Sequence, residues 1–269
     1  MIWNVGGFDP VALDLGVLQI RWYALSYIAG ILAVFKITPY LAKKYNPSIT
    51  TDNIDDFFTW AVLGIVIGGR LGYVLFYQPE YYLSNPIEVL FIYKGGMAFH
   101  GGFLGVVLAG WLYCKKYKID VVAMSDIFVV SIPLGLMFGR LANFVNGELW
   151  GRVTDGTWGV IFPNAGDLPR HPSQLYEAFL EGFVLFVLLY ILVAHFEALK
   201  ARGFALGVFV TGYGFSRILA ENFREPDAFI GYLSHGTTMG QWLSIPMIIV
   251  GATFMRHGLR NTRGRSVGR

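Results

Sequence analysis

Apolar runs long enough to cross a bilayer recur along the whole chain, and that recurrence restricts its fold more than any other feature. They lie near residues 18–42, 54–77, 97–116, 123–145, 173–196, 204–223 and 237–256. A spanning helix needs about 20 predominantly apolar residues, so seven of them use about 140 positions, which fits a chain of 269. Charged residues make up only 14%, against about 25% in an ordinary soluble domain. Too few polar side chains remain to cover a water-soluble globule. The same deficit excludes a disordered chain, a coiled coil and a basic nucleic-acid-binding surface, so no nucleic-acid partner is expected. The expected fold is an all-α integral membrane protein with seven transmembrane helices, forming a single membrane-embedded domain over residues 1–269.

The basic residues alternate between connections. Lys43 and Lys44 follow the first run, Lys115, Lys116 and Lys118 the third, and Lys200 and Arg202 the fifth; Arg256, Arg260, Arg263, Arg265 and Arg269 follow the seventh. The other connections hold Asp9, Asp14, Glu80, Glu88, Asp155, Asp167, Glu225 and Asp227. Cytoplasmic loops collect Lys and Arg, so the topology expected is N-terminus outside, C-terminus in the cytoplasm, with an odd number of crossings. Residues 1–14 have no basic start and no early apolar run, so a cleavable signal peptide is not expected. Residues 78–94, with Pro79, Pro86 and several aromatics, read as an interfacial stretch. Residues 147–172 read as a small extracytoplasmic head inserted between spans four and five, with a short strand near 157–162.

Ionisable residues at bilayer depth cost about 2.5–3.5 kcal/mol on insertion scales and mark function by default. The candidates are Arg70, His100, Asp126, Arg140, Glu177, Glu181, Arg217 and Glu221. On a helix, Arg140 and Asn143 share a face and Asn146 continues it, with Glu148 and Arg152 just beyond. A guanidinium fork beside two amides suits a phosphate and its glycerol hydroxyls. Arg217 and Glu221 stand one helical turn apart, and this is either a buried ion pair that fixes packing or a second cation held by a carboxylate. Glu177 and Glu181 have the same spacing and repel one another unless they face a cation, for which Arg70 and Arg140 are the available partners. His100 opens a glycine-rich span, and imidazole alone titrates near neutral pH without help. Trp22 and Tyr23 sit where an aromatic belt would. The five histidines have no compact metal-ligand spacing, and the single cysteine, Cys114, makes neither a disulfide nor a thiol metal site, so no metal and no cofactor are expected.

The stretch GRLANFVNGELWGR (residues 139–152) resembles the signature of the prolipoprotein diacylglyceryl transferases. RWY (21–23), GGRLGYVLFY (68–77), FHGGFLG (99–105), RHPSQLYE (170–177) and GYGFSRILAENFREPD (212–227) are similar to other motifs of that family, in its order. Ala142 stands where some members carry glycine. The resemblance implies a bacterial inner-membrane enzyme that moves the diacylglyceryl group of phosphatidylglycerol onto the lipobox cysteine of a prolipoprotein signal peptide, releasing glycerol phosphate. It implies Arg140 and Arg217 as essential arginines, with His100 as first candidate for a base. It also implies roles at the site for Tyr23, Asn143, Asn146, Glu148, Gly151 and Glu221. Two other classes remain open at this level. A transporter of anionic lipids would also use intramembrane arginines, but without the repeated halves usual there. A metal-dependent headgroup transferase would need an acidic cluster, which the sequence lacks.

Overall fold

A computed structural model describes residues 2–4, 9–16, 19–226 and 231–266; Asp227 and Arg269 lie outside them. The chain is mostly helical and divides into two compact units, Met1–Tyr40 with Ser125–Arg269, and Leu41–Met124. Helical segments occupy each of the seven apolar runs, as α1 (Trp22–Tyr45), α2 (Thr51–Phe76), α4 (Phe99–Tyr117), α5 (Val121–Phe128) with α6 (Ile132–Val145), α7 (Ser173–Glu177) with α8 (Leu185–Phe196), α9 (Phe204–Glu221) and α10 (Met239–Ser266). Among the described residues three helices, Trp22–Tyr45, Thr51–Phe76 and Ser173–Phe196, are long and apolar enough by themselves to cross a membrane, and α5 with α6 makes a fourth candidate bent by 48°. This is a multi-pass membrane protein, and large side chains such as Leu75, Leu104 and Leu188 stay exposed on its helices, as a lipid solvent allows.

The smaller unit is built on α2 and α4. A capping box at Thr50 and Asn53 starts α2, each side chain bonding the other's backbone N–H. Gly64, Gly68 and Gly72 on α2 face Gly101 and Gly105 on α4, so closely that a Cβ on Gly68 would lie 2.8 Å from the Gly105 Cα and one on Gly72 2.8 Å from the Gly101 Cα. Between hydrocarbon-solvated helices there is little hydrophobic drive, and close backbone approach through small residues supplies the packing. Between the two helices run α3 (Pro79–Ser84) and two short 3-10 turns. The Arg70 guanidinium holds that segment. It donates to the carbonyls of Val89 at 2.8 Å, Gly95 at 2.6 Å and Glu88 at 2.6 Å, with Tyr82 stacked 5.1 Å away. Arg70 is therefore a backbone clamp within its own unit: carbonyls of an irregular segment lacked donors, and the guanidinium satisfies them.

In the larger unit the first helix begins at Trp22 rather than near residue 18, because Gln19–Arg21 (β3) pairs antiparallel with Val11–Asp14 (β2). Helix α6 is separated from α5 at residues 129–131, where the sequence suggested one continuous span. Pro133 lacks an N–H and its ring crowds the carbonyl of Val129, so the helix restarts. The span Ser173–Phe196 contains a π-helical stretch, Ala178–Val184, whose Gly182 lies against Met137 of α6. In the segment expected to form a head, Gly159–Ile161 (β4) pairs in parallel with Ile2–Asn4 (β1). There Val160 and Phe162 pack with Phe144 and Trp150.

Asp126 ties α5 to the start of α9. Its buried carboxylate accepts from the Gly203 N–H at 2.5 Å and the Leu206 N–H at 2.8 Å, where the helix N-terminus favours negative charge. Asp126→Ala leaves these donors without their acceptor and is expected to cost about 1–3 kcal/mol. Thermal unfolding of the detergent-solubilised protein checks this, and an unchanged midpoint would contradict the assignment.

Candidate active site

Arg140 lies near the C-terminal end of α6, Arg217 near that of α9, and Glu177 and Glu181 on the span between them. Four side chains from three helical segments meet at one point. Arg140 Nε lies 2.7 Å from Glu177 Oε2, and its terminal Nη2 lies 3.3 Å from Glu181 Oε2. The 2.7 Å contact is an ion pair without hydrogen-bond alignment. Arg217 Nη1 is 3.5 Å from Glu177 Oε1 and 3.7 Å from Glu181 Oε1, and its other terminal nitrogen pairs with Glu221. Arg224 completes the group, 3.2 Å from Glu177 Oε1 and 3.9 Å from Glu221 Oε1. Thr238 Oγ1 donates to the other oxygen of Glu221 at 2.7 Å. Glu177 and Glu181 are wholly buried, whereas the side chains of Arg140 and Arg217 keep 18% and 17% of their surface. The two guanidinium groups thus converge on shared carboxylates, and each arginine side chain keeps a minor part of its surface accessible.

The π-helical stretch explains part of this convergence. Widening a helix by one residue per turn shifts the direction of the side chains it carries, and such bulges recur at functional sites. Glu181 lies inside the stretch and Glu177 just before it, and both reach the same arginine.

A second cluster adjoins α6. Glu148 Oε1 accepts from Asn143 Nδ2 at 2.8 Å and faces Asn146 Nδ2 at 3.4 Å. The loop carrying Glu148 is held in an unusual path, with Gly147 at φ +64° and Leu149 at φ +57°. A left-handed conformation is costly for leucine. Two buried side chains of α7 hold it: Gln174 Nε2 donates to the Glu148 carbonyl at 2.6 Å and Ser173 Oγ to the Leu149 carbonyl at 3.1 Å. Gly151 then pairs with both neighbouring segments. Its N–H donates to the His171 carbonyl at 2.9 Å, and the next N–H, of Arg152, donates to the Phe223 carbonyl at 2.8 Å. The Arg152 side chain donates to the carbonyls of Glu221 and Arg224, so it ties this strand to the end of α9 rather than extending the face of Arg140. His171 contacts Tyr176, with Nδ1 and the hydroxyl 3.2 Å apart, and burial lowers its pKa, partly opposed by Asp155.

Of the residues singled out in the sequence, Arg140, Arg217 and Glu221 meet in one ion-pair network, and Asn143, Asn146 and Glu148 meet in one hydrogen-bond cluster. Tyr23 is the second residue of α1 and packs edge-on against Tyr27, ring centroids 5.0 Å apart. His100 belongs to the smaller unit, exposed at the second position of α4, its ring 5.7 Å from that of Phe99. Helical spacing puts Arg224 one turn beyond Glu221 without giving it a role, and sequence reasoning missed Gln174 and Ser173 as parts of this assembly. The i, i+4 carboxylates Glu177 and Glu181 signalled a need for a cation, and Arg140 answers it.

The family described as prolipoprotein diacylglyceryl transferase matches residues 10–257. This chain belongs to that family. It is 50% identical over 247 residues to the phosphatidylglycerol–prolipoprotein diacylglyceryl transferase of Rickettsia canadensis, covering 92% of this chain and 95% of that protein. It is 51% identical over 245 residues to the enzyme of the same name from Rhodospirillum rubrum, covering 90% and 89% respectively. Membership gives the arginine network a chemical context, because a transferase acting on a phospholipid must manage a phosphate charge in a medium of low dielectric.

Proposed function

We propose that this chain transfers the diacylglyceryl group of phosphatidylglycerol to the cysteine thiol of a prolipoprotein lipobox, the first step of lipoprotein maturation. The relatives' names support the reaction class. The observation that carries the residue assignment is the convergence of Arg140 and Arg217 on one pair of buried carboxylates.

In this reading Arg140 and Arg217 hold the phosphate of phosphatidylglycerol, and Asn143, Asn146 and Glu148 orient its glycerol. Tyr23 and Gly151 shape the surroundings, and Glu221 holds Arg217. The thiolate is the nucleophile, since a free thiol has a pKa of about 8.5. Its sulfur attacks the glycerol carbon that bears the phosphate ester. The C–S bond forms, the C–O bond breaks, and the electron pair leaves on the phosphate oxygen as glycerol phosphate. The thiol proton passes to a base, for which His100 is the candidate. Preorganised guanidinium charge stabilises the oxygen as negative charge builds on it, often the largest catalytic contribution. The reaction exchanges one heteroatom for another at carbon with no change of oxidation state, so it calls for no redox cofactor, and the two guanidinium groups supply the positive charge that a metal ion would otherwise bring to the leaving phosphate. The same reading puts seven crossings in the bacterial inner membrane, with the N-terminus and the 147–172 head outside, the C-terminus in the cytoplasm, and residues 1–269 acting as one catalytic domain.

The test is product chemistry. Purified protein, phosphatidylglycerol and a lipobox peptide are expected to give a thioether adduct and glycerol phosphate by mass spectrometry, at a rate unchanged by a metal chelator. No adduct, or full dependence on a divalent cation, would sink the proposal.

A further inference from the structure

We propose that Glu181, together with Glu177, sets the anion preference of this site, admitting a singly charged phosphodiester and expelling the doubly charged phosphate monoester made from it. The inference rests on the transfer reaction above. A site built only to grip phosphate would present free guanidinium groups. Here both guanidinium groups already share carboxylates: Arg140 contacts Glu177 and Glu181, and Arg217 contacts Glu177, Glu181 and Glu221. With Arg224, the three cations and three carboxylates carry formal charges that cancel.

Glu181 is the least committed of the three acids. It is wholly buried and contacts two arginines where Glu177 contacts three; its Oε2 accepts from Arg140 Nη2 at 3.3 Å, and its Oε1, 3.7 Å from Arg217, has no hydrogen-bond partner among the described residues. Glu177 keeps Arg224 at 3.2 Å, and Glu221 keeps the Thr238 hydroxyl at 2.7 Å. An incoming phosphate must compete with Glu181 for both guanidinium groups and is repelled by it. That repulsion scales with the charge of the anion. Phosphatidylglycerol carries one negative charge on its phosphate. Breaking its C–O bond leaves a monoester whose second ionisation has a pKa of about 6, so it is dianionic near neutral pH. The carboxylates therefore penalise product more than substrate. Two unopposed arginines would do the reverse, holding the dianion more tightly and stalling the site after each turnover.

The experiment uses the full-length protein in phosphatidylglycerol-containing nanodiscs at about pH 8, where the monoester is dianionic. Glycerol phosphate is the inhibitor of thioether formation. In Glu181→Gln its inhibition constant is expected to fall about tenfold or more, the scale of one unit charge removed within a few ångströms at an intermediate dielectric. Glu181→Asp is expected to restore the parent value. A carboxylate that merely props up the arginines would produce the opposite, weaker inhibition in Glu181→Gln, and either that or an unchanged constant overturns the proposal. A second arm needs no variant. Competition binding to the unmodified protein is expected to favour glycerophosphoglycerol, a soluble phosphodiester, over glycerol phosphate, and equal or reversed preference is fatal to the idea. Thioether formation by the unmodified protein reports on the transfer reaction separately, so the two readings fail independently.

Discussion

Replacing Arg140 with alanine is expected to lower the rate of thioether formation by at least about a thousandfold, at the upper end of what one oxyanion-stabilising donor supplies, because a full charge is removed with it. The same change strips Glu177 and Glu181 of contacts at 2.7 and 3.3 Å inside the protein. Breaking a buried ion pair from one side costs about 3–5 kcal/mol, reduced here because Arg217 and Arg224 remain near Glu177. Loss of activity alone would therefore not separate chemistry from folding. The double variant Arg140→Gln with Glu181→Gln does so. It removes one charge of each sign, and it is expected to recover much of the thermal midpoint while activity stays at the level of the single variant. Arg140→Lys is expected to be nearly as inactive, since one ammonium cannot reproduce the fork that reaches both carboxylates. A rate within tenfold of the parent for Arg140→Ala in a folded protein would refute the phosphate-clamp assignment.

The second large effect is expected from a single methyl group at Gly151. A Cβ there would stand 2.5 Å from the Phe223 carbonyl oxygen and 2.8 Å from the His171 Cβ, and would collide with the His171 carbonyl. These neighbours cannot retreat freely. The Gly151 N–H bonds His171, the Arg152 N–H bonds Phe223, and the His171 N–H bonds back to Arg152, all within 2.8–2.9 Å. Overpacking of this kind costs about 1–3 kcal/mol. The displaced segment leads into Arg224 and follows Glu221, both ligands of the arginine network. A misplacement of about 1 Å costs about a hundredfold in rate, so Gly151→Ala is expected to lose at least that much activity with only a modest drop in thermal midpoint. Gly139→Ala is the control: nothing lies within 4 Å of its added Cβ, although it neighbours Arg140 in sequence. Equal behaviour of the two alanine variants would show that close packing at Gly151 is not what matters.

Hydropathy made the helical segments legible because a lipid solvent imposes one simple demand, that backbone polar groups be satisfied within each apolar run. The same sequence did not reveal the break before α6 as more than a proline, nor the β2–β3 pairing that delays α1 to Trp22. At the site, residue type and spacing singled out Arg140, Asn143, Arg217 and Glu221, because charge at bilayer depth is costly and must have a reason. They also showed that Glu177 and Glu181 needed a cation. They did not show which one, and Arg70 was as good a candidate as Arg140. Arg70 went to the carbonyls of Glu88, Val89 and Gly95, a demand created by an irregular backbone path that no side-chain pattern announces.

The amino-acid order by itself determined that this protein lives in a membrane, which family it belongs to, and which charges have to be neutralised inside it, since burial energies depend on residue type and local period alone. The tertiary structure alone decided how those charges neutralise one another. Arg140 and Arg217 are separated by most of two helices in the chain, and only packing of α6, the π-distorted span and α9 brings them to the same two carboxylates. Coulomb energy acts across space, not along the sequence, and its partners are fixed when the helices dock.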